Sequence, residues 1–148
     1  MEIRFANKND ISQILQIEEE CFVQPWKEND ILYELEGNPV SVILVLENDG
    51  LIIGFLDYWI TFDSATIAQI AIKKQYQGQH LSYLLMQEMI DDCFAKKVNS
   101  ITLEVRTSNT KAINLYQKFG FQQIVVKEHY YNNGEDAIYM VRQEGGNI

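Results

Sequence analysis

The sequence predicts an α/β protein with a mixed β-sheet and helices on both faces of that sheet. Apolar, β-branched runs of strand length alternate with segments whose apolar residues recur at helical spacing. In addition, the triplet Asn48-Asp49-Gly50 stands between two apolar runs and is typical of a hairpin turn. In chain order the elements read β-α-α-β-β-β-α-β-α-β-β. That order fits several α/β folds and does not by itself indicate an activity.

The N-terminal half is predicted to contain two helices and four strands. Asp10 is expected to cap the first helix, with Gln13 as its reciprocal partner three residues later. Pro25 and Trp26 interrupt the helical pattern, and Gly37 begins the turn that ends the second helix. The predicted helices lie at 11–22 and 27–36, and the predicted strands at 3–6, 40–47, 51–60 and 66–72.

The C-terminal half is predicted to contain two further helices and three strands. Gly120 follows the last helix and is expected to end it in a left-handed conformation. The turn Asn132-Asn133-Gly134 is expected to join the last two strands, and residues 143–148 are expected to form a loose tail. The predicted helices lie at 81–97 and 110–119, and the predicted strands at 101–105, 121–131 and 137–141.

Length and composition predict one globular domain that spans residues 1–148. The 148 residues are 47% hydrophobic, which is enough for one core, and no linker-like stretch divides them. Cys21 and Cys93 are far apart and form no C-x-x-C pair, so we expect two free thiols in a reducing cytosol. His80 and His129 have no cysteine or histidine partner at metal-ligand spacing, so we expect no metal site.

The net charge of −9 argues against direct binding to nucleic acid, because phosphate backbones require a basic face. It is compatible with a basic partner such as a ribosomal protein, and equally with acidity that only maintains solubility. The charged N-terminus lacks the apolar core of a signal peptide, and no apolar run approaches the ~20 residues of a membrane helix. We therefore expect a cytoplasmic protein that does not bind membranes.

Residues 101–121, ITLEVRTSNTKAINLYQKFGF, are the most informative stretch of the chain. They predict a strand, a tight polar turn and a short helix, which place Glu104, Asn109 and Tyr116 in one local unit. A carboxylate and a phenol in one cleft can accept a proton from one reactant and donate a proton to another. The pattern LEVR followed by S-N-x-x-A-I-x-L-Y-x-x-x-G-F resembles the GCN5-related N-acetyltransferase superfamily, and within it the bacterial ribosomal-protein-alanine N-acetyltransferases.

The resemblance implies acetyl-CoA as cosubstrate and a mostly antiparallel central sheet. It places the coenzyme pyrophosphate at the turn before the helix at 81–97, where the family has Q/R-x-x-G-x-G/A. Gln77 matches the first position of that motif, whereas His80 and Ser82 replace its glycines. It also implies that the strand at 66–72 is splayed from its neighbour and binds the pantetheine arm through its backbone. The implied coenzyme residues are Ile70, Ala71, Ile72, Gln77, Gly78, Gln79, His80, Leu81, Ser82, Tyr83 and Asn109.

The resemblance further implies that Glu104 is the catalytic base and Tyr116 the acid that protonates the departing thiolate. Strand alternation puts Glu104 and Arg106 on one face, so Arg106 is a possible partner for the carboxylate. The alternatives are a solvated strand face for Glu104 and a core aromatic for Tyr116. For Asn109, the alternative to coenzyme binding is helix capping. Because helical segments flank the strand in sequence, we expect both of its faces to be covered.

The acceptor is expected to be the α-amino group of a protein N-terminus, by resemblance that of an alanine-starting ribosomal protein. Trp26 and the terminal block HYYNNGEDAIYM recur in that subgroup, so Trp26, Tyr130 and Tyr131 are predicted to wall a peptide groove. Core packing is an equal alternative for each of these aromatic residues. Two other functions stay open: acetylation of a lysine, polyamine or small molecule, and a non-catalytic module that binds acyl-CoA.

Overall fold

The computed structural model describes residues 1–144, and within them seven strands form one sheet. The strands are β1 (Glu2–Phe5), β2 (Ser41–Asn48), β3 (Leu51–Thr61), β4 (Ser64–Ile72), β5 (Ser100–Arg106), β6 (Gln122–Lys127) and β7 (Ala137–Gln143). Their order across the sheet is β1-β2-β3-β4-β5-β7-β6. Every neighbouring pair is antiparallel except β4 and β5, which run parallel. The predicted mixed, mostly antiparallel sheet is therefore confirmed.

Helices cover both faces of the sheet, as the sequence predicts. The helices are α1 (Ile11–Cys21), α2 (Glu28–Leu32), α3 (Leu81–Ala95) and α4 (Thr110–Lys118), together with short 3-10 turns at Lys8–Asp10 and Lys74–Tyr76. The second helix continues as one π-helical turn, Tyr33–Gly37. Buried residues of α3 and α4 pack in one apolar cluster, and those of α1 and α2 pack in another. Successive residues of β2, Leu44 and Val45, belong to these two different clusters, because side chains alternate across a sheet.

The helix cap predicted for Asp10 and Gln13 is wrong. The capping residue is Asn7, whose side chain accepts the Asn9 N–H at 2.8 Å at the start of the 3-10 turn. Asp10 is buried and instead accepts two hydrogen bonds from the Arg4 guanidinium, at 2.8 and 2.9 Å. Gln13 accepts the Ile52 N–H at 2.8 Å and so ties α1 to β3. Both side chains have tertiary partners that helix-capping rules do not include.

The turns predicted at Asp49-Gly50 and at Gly120 are confirmed. Asp49 and Gly50 both have positive φ, 50° and 85°, as the predicted hairpin turn between β2 and β3 requires. Gly120 also has positive φ, 88°, directly after α4. The last strand pair forms, but β6 ends at Lys127 and a connection of residues 128–136 replaces the predicted end of that strand. In the predicted loose tail, Gln143 belongs to β7 and the Glu144 N–H donates to the Asn99 carbonyl at 2.7 Å, whereas 145–148 lie outside the described residues.

The parallel strands β4 and β5 pair only at one end. Ser64, Ala65 and Thr66 pair with residues 100–102, and the hydroxyls of Thr66 and Thr102 lie 3.1 Å apart. Beyond Thr66 the two strands separate, so the β4 backbone has a free edge on the side of β5. The predicted splay is confirmed, and it opens the sheet at the place where the candidate site lies. No helix within residues 1–144 has the length and apolar character needed to cross a membrane.

Candidate active site

A cleft of about 520 Å³ lies where the free end of β4 meets the N-termini of α3 and α4. Its volume falls in the range typical of small-molecule sites. All of the predicted coenzyme residues line this cleft except Gln79, which is exposed outside it. The predicted residues that line it are Ile70, Ala71, Ile72, Gln77, Gly78, His80, Leu81, Ser82, Tyr83 and Asn109. The structure thus brings together residues from three separate segments of the chain.

The turn before α3 has the geometry of a glycine-rich turn although it contains one glycine. Gly78 has φ 84°, and His80, directly before the helix, has φ 59° and ψ 25°, which is the left-handed region. A non-glycine residue is strained there. The His80 imidazole packs on the Tyr83 ring, with centroids 4.8 Å apart. The helix therefore still presents its first unpaired N–H groups and the positive end of its dipole to the cleft.

The Gln77 side chain binds protein atoms. Its amide donates to the Ile72 carbonyl at 2.8 Å and so fastens the turn to the end of β4. The Gln77 backbone N–H is engaged as well, because it donates to the Lys74 carbonyl at 3.2 Å. Cys21, which the sequence reading had assigned only as a free thiol, also lines the cleft, and its thiol donates to the same carbonyl at 3.3 Å. Burial raises the pKa of the Cys21 thiol, so this sulfur favours the protonated form.

Two lysines of α4, Lys111 and Lys118, also line the cleft, and the sequence analysis missed both. They lie seven residues apart on one helix, a spacing that returns to the same helical face. That spacing is the signal that could have identified them. Asn109, the predicted coenzyme ligand before them, caps α4 by accepting the Ala112 N–H at 3.2 Å. Asn109 therefore caps α4. It also lines the cleft, and coenzyme binding by this residue stays a prediction.

Glu104 lies on β5 on the opposite side of the splay from β4. Its carboxylate accepts a hydrogen bond from Lys127 on β6 at 3.2 Å, and its side chain is 22% exposed. The expected coverage of both strand faces is therefore incomplete, because the face of β5 that carries Glu104 is only half-buried. The possible Glu104–Arg106 pair does not form, because Arg106 binds Glu135 at 3.1 Å. No sequence spacing links Lys127 to Glu104, since sheet pairing alone brings them together.

Tyr116 is buried in the larger apolar cluster and packs against Phe121, with ring centroids 5.8 Å apart. Burial, and to a lesser extent the neighbouring Tyr131, raises the pKa of its phenol well above the usual value. The cleft lining includes Leu115 beside it but not Tyr116 itself. The buried position fits the interpretation of Tyr116 as a core aromatic. The catalytic interpretation requires a protonated phenol, and the Tyr116 phenol is protonated at neutral pH.

Tyr131, the third predicted groove residue, lies beside Arg106, whose guanidinium carbon is 4.0 Å from the centroid of its ring. Burial raises the pKa of its phenol to about 12, Arg106 opposes that shift, and the negative charges of Glu104 and Glu135 add to it. The Tyr131 phenol in turn contributes to the raised pKa of Tyr116.

The other two predicted groove residues differ from each other in environment. Tyr130 is 49% exposed and stands edge-on to Tyr131 at 5.0 Å, with the Lys127 ammonium 5.3 Å from its ring. Trp26 is partly buried against the α1 and α2 cluster, and its backbone N–H donates to Glu18 at 2.8 Å. Tyr130 therefore shares the Lys127 ammonium with Glu104, and Trp26 packs against an apolar cluster. The assignment of both residues to a peptide groove stays a prediction.

Two carboxylates, one on α1 and one on β3, are buried, and the sequence did not predict their burial. Glu18 on α1 is completely buried, and burial raises its pKa to about 7. Asp57 on β3 is buried too, and burial together with Glu34 raises its pKa to about 9. Between them, the Gln69 amide donates to Glu18 at 3.3 Å. A single acidic residue within the apolar run of β3 was the available signal. Within the described part of the chain, no group of three or more His, Cys, Asp and Glu side chains is placed to hold a metal ion.

Comparison with known proteins gives consistent results. The model of the acetyltransferase (GNAT) family matches residues 11–121. A candidate ribosomal protein bS18-alanine N-acetyltransferase of Bacillus subtilis is 40% identical over 139 residues, which are 93% of this chain and 92% of that protein. The ribosomal protein bS18-alanine N-acetyltransferase of Salmonella typhimurium is 31% identical over 143 residues, 93% and 94% of the two chains. The crystal structure of the ribosomal-protein-S18-alanine N-acetyltransferase from Escherichia coli has a TM-score of 0.88 at 29% identity, covering 99% of this chain and 97% of that one.

Proposed function

This chain belongs to the GNAT acetyltransferase family and is an acetyl-CoA-dependent N-acetyltransferase, and we propose that its acceptor is the α-amino group of a protein N-terminus. More narrowly, the proposed acceptor is a ribosomal protein that begins with alanine. The observation that carries this proposal is similarity along nearly the whole chain to enzymes named for that substrate. The net charge of −9 supports a basic protein partner, and the reaction is proposed to take place in the cytoplasm, without nucleic acid or membrane as a ligand.

The proposed coenzyme site is the cleft beside β4. The β4 backbone at Ile70, Ala71 and Ile72 is proposed to bind the amide groups of the pantetheine arm. The Ile72 carbonyl, which already accepts hydrogen bonds from Gln77 and Cys21, is not one of the free acceptors. The unpaired N–H groups at the start of α3 bind the pyrophosphate, because a helix N-terminus favours an anion. Lys111 and Lys118 add positive charge at the cleft wall. Backbone atoms supply most of these contacts, so the replacement of motif glycines by His80 and Ser82 leaves the donors in place.

The proposed reaction is direct attack of a neutral amine on the thioester within a ternary complex. A nitrogen–carbon bond forms, the carbon–sulfur bond breaks, Glu104 receives the amine proton directly or through water, and Tyr116 donates its proton to the departing thiolate. The Tyr116 phenol is protonated at neutral pH, as a proton donor to the thiolate must be. No cysteine–histidine or serine–histidine pair appears among the hydrogen bonds of residues 1–144, so no covalent intermediate is proposed.

An α-amine suits such a base better than a lysine does. The pKa of an α-amino group is about 7.7–8.0, against about 10.4 for lysine. At pH 7 roughly a tenth of α-amines are already neutral, but only a few lysine side chains in ten thousand. When the amine is already neutral, the base needs to accept only the proton that is released on attack. Glu104, a partly exposed carboxylate with a lysine partner, is proposed as that base. The lower pKa of an α-amine therefore supports an N-terminal acceptor over an internal lysine.

The test is acetyl-CoA turnover with three peptides of one basic sequence. The first begins with a free alanine, the second has the same alanine blocked at its α-amine, and the third begins with a free bulky residue. The proposal predicts turnover with the first, none with the second and a lower kcat/KM with the third. Equal turnover with the first and second peptides would move the acceptor to a side-chain amine. Coenzyme binding without turnover of any amine would favour the non-catalytic module.

A further inference from the structure

Arg106, at the end of β5, is the most highly connected side chain beside Glu104. Its Nη1 donates to Asn133 at 3.0 Å and to Glu135 at 3.1 Å, both in the connection between β6 and β7. The guanidinium also lies over the ring of Tyr131, with its central carbon 4.0 Å from the ring centroid. The side chain is 15% exposed. Arg106 therefore contacts three residues of the connection 128–136, namely Tyr131, Asn133 and Glu135.

The same arginine reaches two further segments of the chain. The second oxygen of Glu135 accepts the Ser108 N–H at 3.0 Å, in the turn that leads into α4 and Tyr116. The other terminal nitrogen of Arg106 lies 3.5 Å from the amide oxygen of Gln24, in the loop between α1 and α2. That contact is too long for a strong hydrogen bond. The guanidinium thus lies between the α1–α2 loop and residues 128–136.

Tyr131 is the residue whose position depends most on this arrangement. Its ring lies against the guanidinium, and its backbone N–H donates to the Glu135 carbonyl at 3.1 Å. The adjacent Tyr130 ring stands edge-on to it at 5.0 Å, and the Lys127 ammonium that binds Glu104 lies 5.3 Å from the Tyr130 ring. A planar guanidinium can stack on a ring and bind a carboxylate at the same time, whereas a lysine ammonium cannot do both. The arrangement therefore depends on arginine itself and not on positive charge alone.

We propose that Arg106 is a positioning residue for the acceptor: it holds Tyr131 and residues 128–136 against Glu104 and so sets where the incoming amine lies. It does not touch the reacting atoms. The part that concerns the acceptor rests on the proposed function, because it requires an amine that binds beside Glu104. The part that concerns Tyr131 does not, since the stacking exists without a bound acceptor.

The chain contains a matched control arginine. Arg4 on β1 also binds two carboxylates, Asp10 at 2.8 Å and Glu47 at 2.6 Å, and its side chain is 28% exposed. It lies at the far edge of the sheet, away from the cleft and from residues 128–136. Arg4→Lys therefore reports what the loss of a bidentate structural arginine does to stability alone.

The kinetic test compares Arg106→Lys, Arg106→Gln and Arg4→Lys with the wild-type chain, using the alanine-starting peptide. Misplacement by about 1 Å can reduce kcat/KM by about 10²-fold, and we expect a loss of that order in both Arg106 variants, with most of it in KM for the peptide. Lysine should not rescue the glutamine variant. Calorimetry should give an unchanged affinity for coenzyme A. A folded Arg106→Lys protein with wild-type kcat and KM would overturn the proposal, as would losses that only follow the fall in melting temperature shown by Arg4→Lys.

A second measurement requires no acceptor. In spectra of protein labelled with ¹³C at tyrosine rings, the Tyr131 signal is assigned by its disappearance in Tyr131→Phe. We expect that signal to shift or broaden in Arg106→Lys and to stay unchanged in Arg4→Lys. An unchanged Tyr131 signal in Arg106→Lys contradicts the positioning role even if no peptide is turned over. Failure of the proposed acceptor and failure of the positioning role are therefore distinguished.

Discussion

The two sides of the β4–β5 splay are built in different ways. On the β4 side, the predicted coenzyme contacts come mainly from backbone atoms, namely the free strand edge and the N-terminus of α3. On the β5 side, the predicted chemistry depends on side chains held by long-range partners, such as Lys127 on Glu104 and Glu135 on Arg106. Backbone geometry survives substitution of side chains, whereas a side-chain network does not. The β5 side should therefore be far more sensitive to single substitutions than the β4 side.

The largest effect is expected for Glu104→Gln. Loss of the base should lower kcat/KM for the alanine-starting peptide by about 10²–10⁴-fold, while coenzyme A affinity stays the same because the cleft lies across the splay. Steady-state kinetics and calorimetry measure the two quantities. Glu88→Gln, which removes one exposed charge from α3, is the matched control for charge. A near-normal rate in folded Glu104→Gln protein would remove Glu104 from the mechanism.

Tyr116→Phe should have the next largest effect. The substitution keeps the packing against Phe121 and removes only the hydroxyl. The catalytic role predicts a fall in kcat of about 10²-fold or more with an unchanged melting temperature. If Tyr116 is only a core aromatic, kcat stays at the wild-type value. Kinetics beside a thermal melt on the same preparation separates the two results.

A smaller effect, on stability, is expected for Glu18→Gln. Burial raises the Glu18 pKa to about 7 in the folded chain, above its ordinary value of 4.5, so its stabilising contribution is complete below about 4.5 and is lost as pH rises to about 7. The loss is at most about 1.4 kcal/mol for each pH unit. Glu18→Gln should therefore be close to neutral at pH 5 and stabilising at pH 8. Melting temperatures at the two pH values test this, and a variant less stable than wild type at pH 8 would show that the ionised carboxylate is favourable there.

The smallest effect is expected for His80→Gly on the backbone-built side. Glycine relieves the left-handed strain at φ 59° and removes a side chain from the cleft wall, so coenzyme A should bind slightly more tightly, by less than about tenfold. His129→Gly is the control, because His129 has a similar φ of 52° outside the cleft lining. Its coenzyme affinity should match wild type. Weaker binding by His80→Gly in calorimetry would mean that the imidazole itself binds the phosphates.

The contrast between the two sides also explains how much could be predicted from sequence. The elements and the hairpin at Asp49-Gly50 follow from local periodicity and turn chemistry, and the residues that line the cleft follow from a family motif with fixed spacing. The alternating burial of β5, with Ile101, Leu103 and Val105 inside, follows from strand geometry. Such rules act over a few residues and leave a clear trace in the sequence.

The partners of charged side chains could not be predicted in this way. Glu104 was expected to pair with Arg106, its neighbour on the strand, but sheet order places Lys127 nearer, and Arg106 turns to Glu135. Asp10 was likewise assigned a local cap, whereas Arg4 on the adjacent strand binds it. No helix or strand periodicity relates the residues of these pairs. The domain extent and the individual site roles remain predictions.

The central claim is that the acetyl group passes from the coenzyme on the β4 side to an α-amine beside Glu104. The most direct measurement uses isotopically labelled acetyl-CoA and one peptide that carries both a free alanine α-amine and an internal lysine, with fragment mass spectrometry to locate the label. The account predicts label on the N-terminal alanine, lost in Glu104→Gln. Label on the lysine, or equal label in wild type and Glu104→Gln, would contradict it.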